Sequence, residues 1–244
     1  MRKVGLLWFW AGLAAALGAA AQPLRVEVRP DRVSQGLFYG GVRLEVVGSA
    51  PKDGALVVLV EGERRSETHV KVGLKGPLWL PQGDVPVGEA PALYLLASEG
   101  DLHHLLTGEE RRREGLGLSS LRASLSAGAA GVHEAEEVLR VWRRSGRVSL
   151  ADRGVRRRDG AFSAGFDLPP RLEEGALLVK VFLCREGRVA ERSVTKVPVA
   201  RTGLAAFLTG TARDLPALYG AGAALLALLL GAAVGAAFPR LQGH

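Results

Sequence analysis

The sequence predicts a mainly β protein, with a β-sandwich-like body, a helical insertion in it, and one C-terminal transmembrane helix. Three observations predict this. Apolar and polar residues alternate over several short stretches bounded by turn-forming residues, which is the pattern of half-buried strands. Between about 101 and 146 the apolar spacing changes to that of helices. From Leu215 to Phe238 no residue is charged.

Composition sets the outer limits. Of 244 residues, 48% are apolar and 23% charged, and the formal net charge is +7. Such a chain can bury enough apolar surface to fold, which excludes a disordered or collagen-like polypeptide. A single cysteine excludes an internal disulfide framework and a multi-thiolate zinc site.

At the N-terminus, Met1-Arg2-Lys3 precedes an apolar stretch from Val4 to Leu17, then Ala19-Ala20-Ala21 and Gln22. A short cationic region, an apolar core and an Ala-x-Ala site are the parts of a secretory signal. Residues 1–21 therefore read as a signal peptide, and 22–200 as an exported β-rich domain. An uncleaved anchor, with Trp8, Phe9 and Trp10 in its core, is the competing reading.

The strands follow in order. Leu24, Val26 and Val28 alternate with Arg25, Glu27 and Arg29, and Val42, Leu44 and Val46 alternate across Arg43 and Glu45. Ala55 to Val60 is continuously apolar, as a strand covered on both faces would be. Val70, Val72 and Leu74 alternate with Lys71, Gly73 and Lys75. Arg29-Pro30-Asp31, Pro51-Lys52-Asp53-Gly54 and Lys75-Gly76-Pro77 supply the turns between them. Short strands at this spacing point to a sandwich.

Helical spacing then takes over at Asp101–Thr107 and Val132–Arg144. In the second stretch Ala135, Val138, Leu139 and Trp142 fall on one face. Leu116 to Gly131 is rich in Ser, Gly and Ala, and reads as either loop or helix. Strands resume near Arg147, with Ala161–Leu168, Ala176–Cys184 and Val189–Ala200 after it. Residues 201–214 read as a juxtamembrane amphipathic helix.

Residues 215–238 read as the span. At 1.5 Å per residue they reach ~36 Å, enough to cross a ~30 Å hydrocarbon core. Arg213 is offset by Asp214, so orientation rests on the leader, which exports the body and leaves 239–244 as a short cytoplasmic tail. Gly220, Ala224, Ala227, Gly231 and Gly235 line one face of the span, and Gly231-x-x-x-Gly235 permits close approach of another helix. Ala and Gly are abundant throughout the chain, which is the alternative source of the stripe.

The order of landmarks in the second half is distinctive. It runs Phe166-Asp167-Leu168-Pro169-Pro170, Glu174-Gly175, Val179 to Leu183 and Arg185-Glu186-Gly187-Arg188-Val189. Gly203-Leu204-Ala205-Ala206-Phe207-Leu208, Ala212-Arg213 and Pro216-Ala217-Leu218-Tyr219-Gly220 follow. Gly36 to Val47, Val57-Val58, Gly76 to Trp79 and Pro91-Ala92-Leu93-Tyr94 extend the likeness into the first half. This order resembles a family of transmembrane proteins described mainly from alphaproteobacteria. The resemblance implies a leader, an exported β-rich body and one C-terminal span, and it implies no reaction.

No motif specifies chemistry. His133-Glu134-Ala135-Glu136-Glu137 approaches the zinc-protease helix, but Glu137 stands where the second histidine is needed. His103, His104 and His133 are the only candidates for a metal site, and neighbours on a helix diverge by ~100°, so one of the first two would normally contribute. Ala161-Phe162-Ser163-Ala164-Gly165 lacks the first glycine of a nucleophile elbow and lies within a strand pattern. Gly115-Leu116-Gly117 lacks the third glycine of a dinucleotide loop. Glu109-Glu110, Glu136-Glu137 and Glu173-Glu174 read as solvated surface. Cys184, at the end of an apolar strand, is either buried or a link to a second chain.

Basic residues concentrate between 111 and 158, chiefly as Arg111, Arg112, Arg113 and Arg156, Arg157, Arg158. Export and the absence of interleaved aromatics argue against nucleic acid, and favour anionic head groups or an acidic protein surface. The reading that results is a single-pass protein of the bacterial inner membrane. Its periplasmic body binds or scaffolds an envelope partner, with a protein partner or a second copy meeting the span, and without a cofactor. The alternatives are an envelope enzyme or metal-binding protein built on the three histidines, or a solute-binding accessory of a transporter.

Overall fold

The computed structural model describes residues 23–75, 77–86, 88–127 and 131–237, so the predicted leader and tail lie outside the described residues. The chain first forms β1 (Arg25–Arg29), β2 (Val33–Gln35), β3 (Val42–Ser49), β4 (Ala55–Glu61) and β5 (Arg64–Arg65). It continues through β6 (Thr68–Lys75), β7 (Leu78–Pro86), β8 (Ala90–Pro91) and β9 (Tyr94–Ser98). Four helices follow: α1 (Leu102–Leu105), α2 (Gly108–Glu114), α3 (Leu118–Ser126) and α4 (Val132–Arg144). Then come β10 (Val148–Ala151), β11 (Val155–Arg158), β12 (Ala161–Leu168), β13 (Gly175–Arg185) and β14 (Arg188–Arg201), and finally α5 (Gly203–Asp214) and α6 (Pro216–Ala237).

Alternation puts one face of each outer strand inward, and the result is two sheets packed face to face. One has the order β1-β3-β12-β11 and the other β10-β9-β4-β13-β14-β2. In β12 burial alternates residue by residue, and Phe162, Ala164, Phe166 and Leu168 enter the core shared by the two sheets. From the other side Leu56, Val58 and Val60 of β4 and Val179, Val181 and Leu183 of β13 meet them. The sheets thus close on one core.

The run Ala55–Val60 has the double burial that its composition predicts. Val57 and Leu59 point away from the inter-sheet core into a second apolar layer, formed with the helices. That layer follows from topology. β9 and β10 are parallel neighbours, so the chain must cross back between them, and α1 to α4 make the crossover. Ala135, Val138, Leu139 and Trp142 of α4 are the buried stripe, as their spacing predicts. Tyr94 ties the link between α2 and α3 to the sheet. Its hydroxyl accepts from the Gly117 N–H (2.8 Å) and donates to the Gly115 carbonyl (3.0 Å), and burial raises its pKa above the ordinary phenol value.

The structure adds β7 and the short strands β2, β5, β8 and β11 to those the sequence predicts, and two further differences have a clear local cause. The arginine run 111–113 lies in α2, started by the Thr107 hydroxyl accepting from the Glu110 N–H at 3.3 Å and ended by Gly115 at φ +70°. Thr107-x-x-Glu110 and Gly115 are start and stop signals that the run of charge conceals. β9 carries no alternation because all five of its residues are buried, and its buried run is shorter than that of β4.

Cys184 is buried at 3% exposure, and burial, with the buried Glu110 carboxylate adding repulsion, pushes its thiol up to about 12. A thiol in the unfolded chain ionises near ~8.5. Because the folded value is the higher one, this contribution to stability is complete below ~8.5 and is lost as pH rises toward the folded value. We expect Cys184 in the native chain to resist a thiol reagent at pH 8 and to react in step with urea unfolding. Rapid labelling without denaturant would contradict its burial.

Candidate functional site

At one end of the larger sheet, β4 finishes, β13 begins and β14 finishes. Val199 pairs with Gly175, and Leu178 pairs with Glu61. The segments that leave this end are tied together by charge. Glu63 accepts from the Ala176 N–H at 3.2 Å. Arg65 meets Glu173 at 2.8 Å and Glu63 at 3.2 Å, and Arg201 meets Glu174 at 3.1 Å.

Arg147 holds the other side. Its guanidinium donates to both carboxylate oxygens of Glu67, at 3.1 and 2.5 Å, and to the Ala92 carbonyl at 2.8 Å. It also lies 4.2 Å from the centre of the Trp142 ring. A fork-on-carboxylate pair that is also stacked on indole fixes the guanidinium plane.

Between these two sets of ties is a cleft of about 580 Å³. Leu93, Leu177, Trp142, Val141, Pro169 and Leu172 supply apolar walls, and Glu63, Arg65, Arg171 and Glu173 stand among the lining residues. Val141 lies off the buried stripe of α4 and is 58% exposed. The volume is that of a site for a small ligand or a short peptide segment. An apolar floor would take an apolar group, and charges of both signs would set its orientation. Neither histidine nor cysteine is among the lining residues, and the Ser145 hydroxyl is used on the Trp142 carbonyl at 3.0 Å.

The residues singled out in the sequence lie elsewhere. His103 and His104 are exposed on α1, the first 2.8 Å from Arg111 and the second 3.7 Å from Asp101. His133 is the second residue of α4 and faces Glu137 at 3.5 Å. Among the described residues no group of three or more His, Cys, Asp and Glu side chains is placed to hold a metal ion. Ser163 is an exposed residue of β12. The two arginine runs are in different layers, Arg111–Arg113 in the helical layer and Arg156–Arg158 in the edge strand β11. Arg113 is engaged by Glu110 (3.0 Å) and Glu114 (3.4 Å). Arg157 donates to the carbonyls of Pro51, Lys52 and Gly54 and pairs with Glu99 at 3.0 Å.

On α6, Gly220, Ala224, Ala227, Gly231 and Gly235 are exposed, and a Cβ added at any of the three glycines would meet nothing within 4 Å. The window Pro216–Gly235 has a mean hydropathy of 2.1 and none of it is buried, so by length and composition this helix can cross a membrane. A family model described as "Putative transmembrane protein" (Alph_Pro_TM) matches residues 23–240. The chain belongs to this family. The match takes in both sheets, the helical layer and the apolar helix together, and confirms the resemblance carried by the order of landmarks. No curated relative matches the chain.

Pro169-Pro170 and Glu174, landmarks of that resemblance, border the cleft, where the acidic pair Glu173-Glu174 is exposed and flanked by Arg65 and Arg201. Sequence reasoning missed the cleft because its ties join residues far apart in the chain, such as Glu67 and Arg147.

Proposed function

We propose that this membrane protein holds its β-rich body at the outer surface of a bacterial inner membrane, and there binds a segment of an envelope partner in the cleft. The observation that carries this reading is the position of the cleft. It is bordered by Glu174, which pairs with Arg201, two residues before α5 begins on the way to the span. A partner held there would lie close to the bilayer. The small-residue stripe Gly220, Ala224, Ala227, Gly231 and Gly235 would extend the contact into the membrane, since small residues let helices approach closely. The leader 1–21 would deliver the body to this side.

A photo-crosslinking residue at Val141, in full-length chain in its native membrane, tests the reading. We expect one dominant adduct with an envelope protein from position 141 and none from position 163 on the other sheet. Val141→Glu is expected to weaken co-purification of that protein about tenfold, or ~1.4 kcal/mol. Equal adducts from both positions, or none from 141, would remove the cleft from the account.

A further inference from the structure

We infer that the hairpin formed by β6 and β7 is a second membrane contact, resting its tip in the interfacial layer of the bilayer that α6 crosses. The hairpin belongs to neither main sheet, since β6 and β7 pair only with each other. Its root lies beside the end of β14, from which the chain runs through α5 to the span. Arg65, just before β6, donates to the Glu174 carbonyl at 3.4 Å, and the Glu174 carboxylate pairs with Arg201 at 3.1 Å. Glu67, the residue before β6, is clamped by Arg147. The base is therefore fixed at the end of the body from which α5 and α6 leave.

The hairpin exposes large apolar residues: Val70 at 55%, Leu74 at 58%, Leu78 at 61% and Leu80 at 40%. Register separates them. Val70 pairs with Asp84 and Leu74 with Trp79, while Lys75 pairs with Leu78 and Gly73 with Leu80. Paired positions share a face and alternate positions change face, so Val70 and Leu74 lie on one side of the ribbon and Leu78 and Leu80 on the other. A folded partner docked on one side would leave the other in water. A fluid apolar medium covers both.

Charge agrees with a lipid surface. Lys71 and Lys75 lie toward the tip, which suits anionic head groups, and the one acidic residue of the two strands, Asp84, lies toward the root. Trp79 is the residue type favoured at a membrane interface. Depth is limited by the backbone, because the outer edges of a two-stranded ribbon keep unpaired polar groups that hydrocarbon penalises. The tip therefore stops among head groups and upper acyl chains. This inference rests on the span and is independent of any partner in the cleft.

The test uses full-length chain in nanodiscs of phosphatidylethanolamine and phosphatidylglycerol, at one copy per disc. Leu74→Cys, Leu78→Cys and Asp159→Cys each carry an environment-sensitive fluorophore. Asp159 is 95% exposed, in the turn before β12 and at the end of that strand away from the cleft. We expect blue-shifted emission at 74 and 78, with loss of intensity when nitroxide is placed on head groups or shallow acyl positions, and neither effect at 159. Substituting phosphatidylcholine for phosphatidylglycerol is expected to reduce the loss at 74 and 78. Emission at 74 and 78 matching that at 159 would overturn the inference. So would protection of 74 and 78 that needs two copies per disc and shows no quenching by lipid, which would mean the hairpins pair with each other.

Discussion

Trp142→Ala is expected to destabilise the body by about 4 kcal/mol, read as a drop in the midpoint of urea unfolding. The side chain is 2% exposed in the layer between the larger sheet and the helices, among the largest fully buried groups in the chain. Its removal subtracts the transfer energy of an indole and leaves a cavity that sheet and helices cannot jointly close. A further effect separates this variant from an ordinary core truncation. The indole face supports the Arg147 guanidinium, and that guanidinium holds Glu67 and the Ala92 carbonyl. We therefore expect loosening at the root of β6 as well as in α4, seen as faster amide exchange at 67–69 in native buffer. Trp142→Phe keeps most of the volume and should recover more than half of the loss. If Trp142→Ala lost less than about 1 kcal/mol, the helical layer would not be packed on the sheet as described.

The fold was legible in the sequence where burial is one-sided. β12 and α4 each present one buried face, so their periods of two and of 3.6 are visible in the order of residues. β4 was legible for the opposite reason, because an unbroken apolar run requires cover on both faces. β9 has the same double burial, yet its neighbours Pro91 and Gly100 and its length of five residues gave too little pattern to place it. α2 was hidden by composition. Three arginines in succession read as a charged surface, although Thr107 and Gly115 mark the ends of a helix.

The cleft was not legible, and the reason is physical. Its walls come from the segment after β4, the segment before β9, α4 and the segment between β12 and β13, brought together only by tertiary packing. Each contributing residue has an ordinary local role. Trp142 is one apolar position on a helix face, Pro169-Pro170 ends a strand, and Arg147 is one of many arginines. Their shared position depends on pairings such as Arg147 with Glu67 and Arg65 with Glu173, and no local period encodes those. The histidines gave the reverse case. They are close in the chain and chemically suggestive, yet each faces a different charged neighbour.

Lys180→Met is expected to cost about 3 kcal/mol, with most of it returning in the double variant Glu61→Met with Lys180→Met. The Glu61 side chain is 5% exposed at the end of β4, on the side away from the inter-sheet core. One carboxylate oxygen meets the Lys180 ammonium at 2.5 Å and the other meets Arg64 at 3.2 Å. A buried carboxylate that loses a cation has neither water nor a full set of partners, and this is the large term. The figure stands at the low end for a buried pair because Lys180 is 27% exposed and Arg64 remains. Removing both charges eliminates the desolvated group itself and leaves apolar side chains beside Tyr94 and Leu178, the cross-strand neighbours of Glu61. A thermodynamic cycle on the two single variants and the double variant measures this, with a coupling of ~2 kcal/mol expected. Coupling below ~0.5 kcal/mol would mean that Lys180 and Glu61 are each independently solvated, and that the end of β4 beside the cleft is more open than its burial indicates.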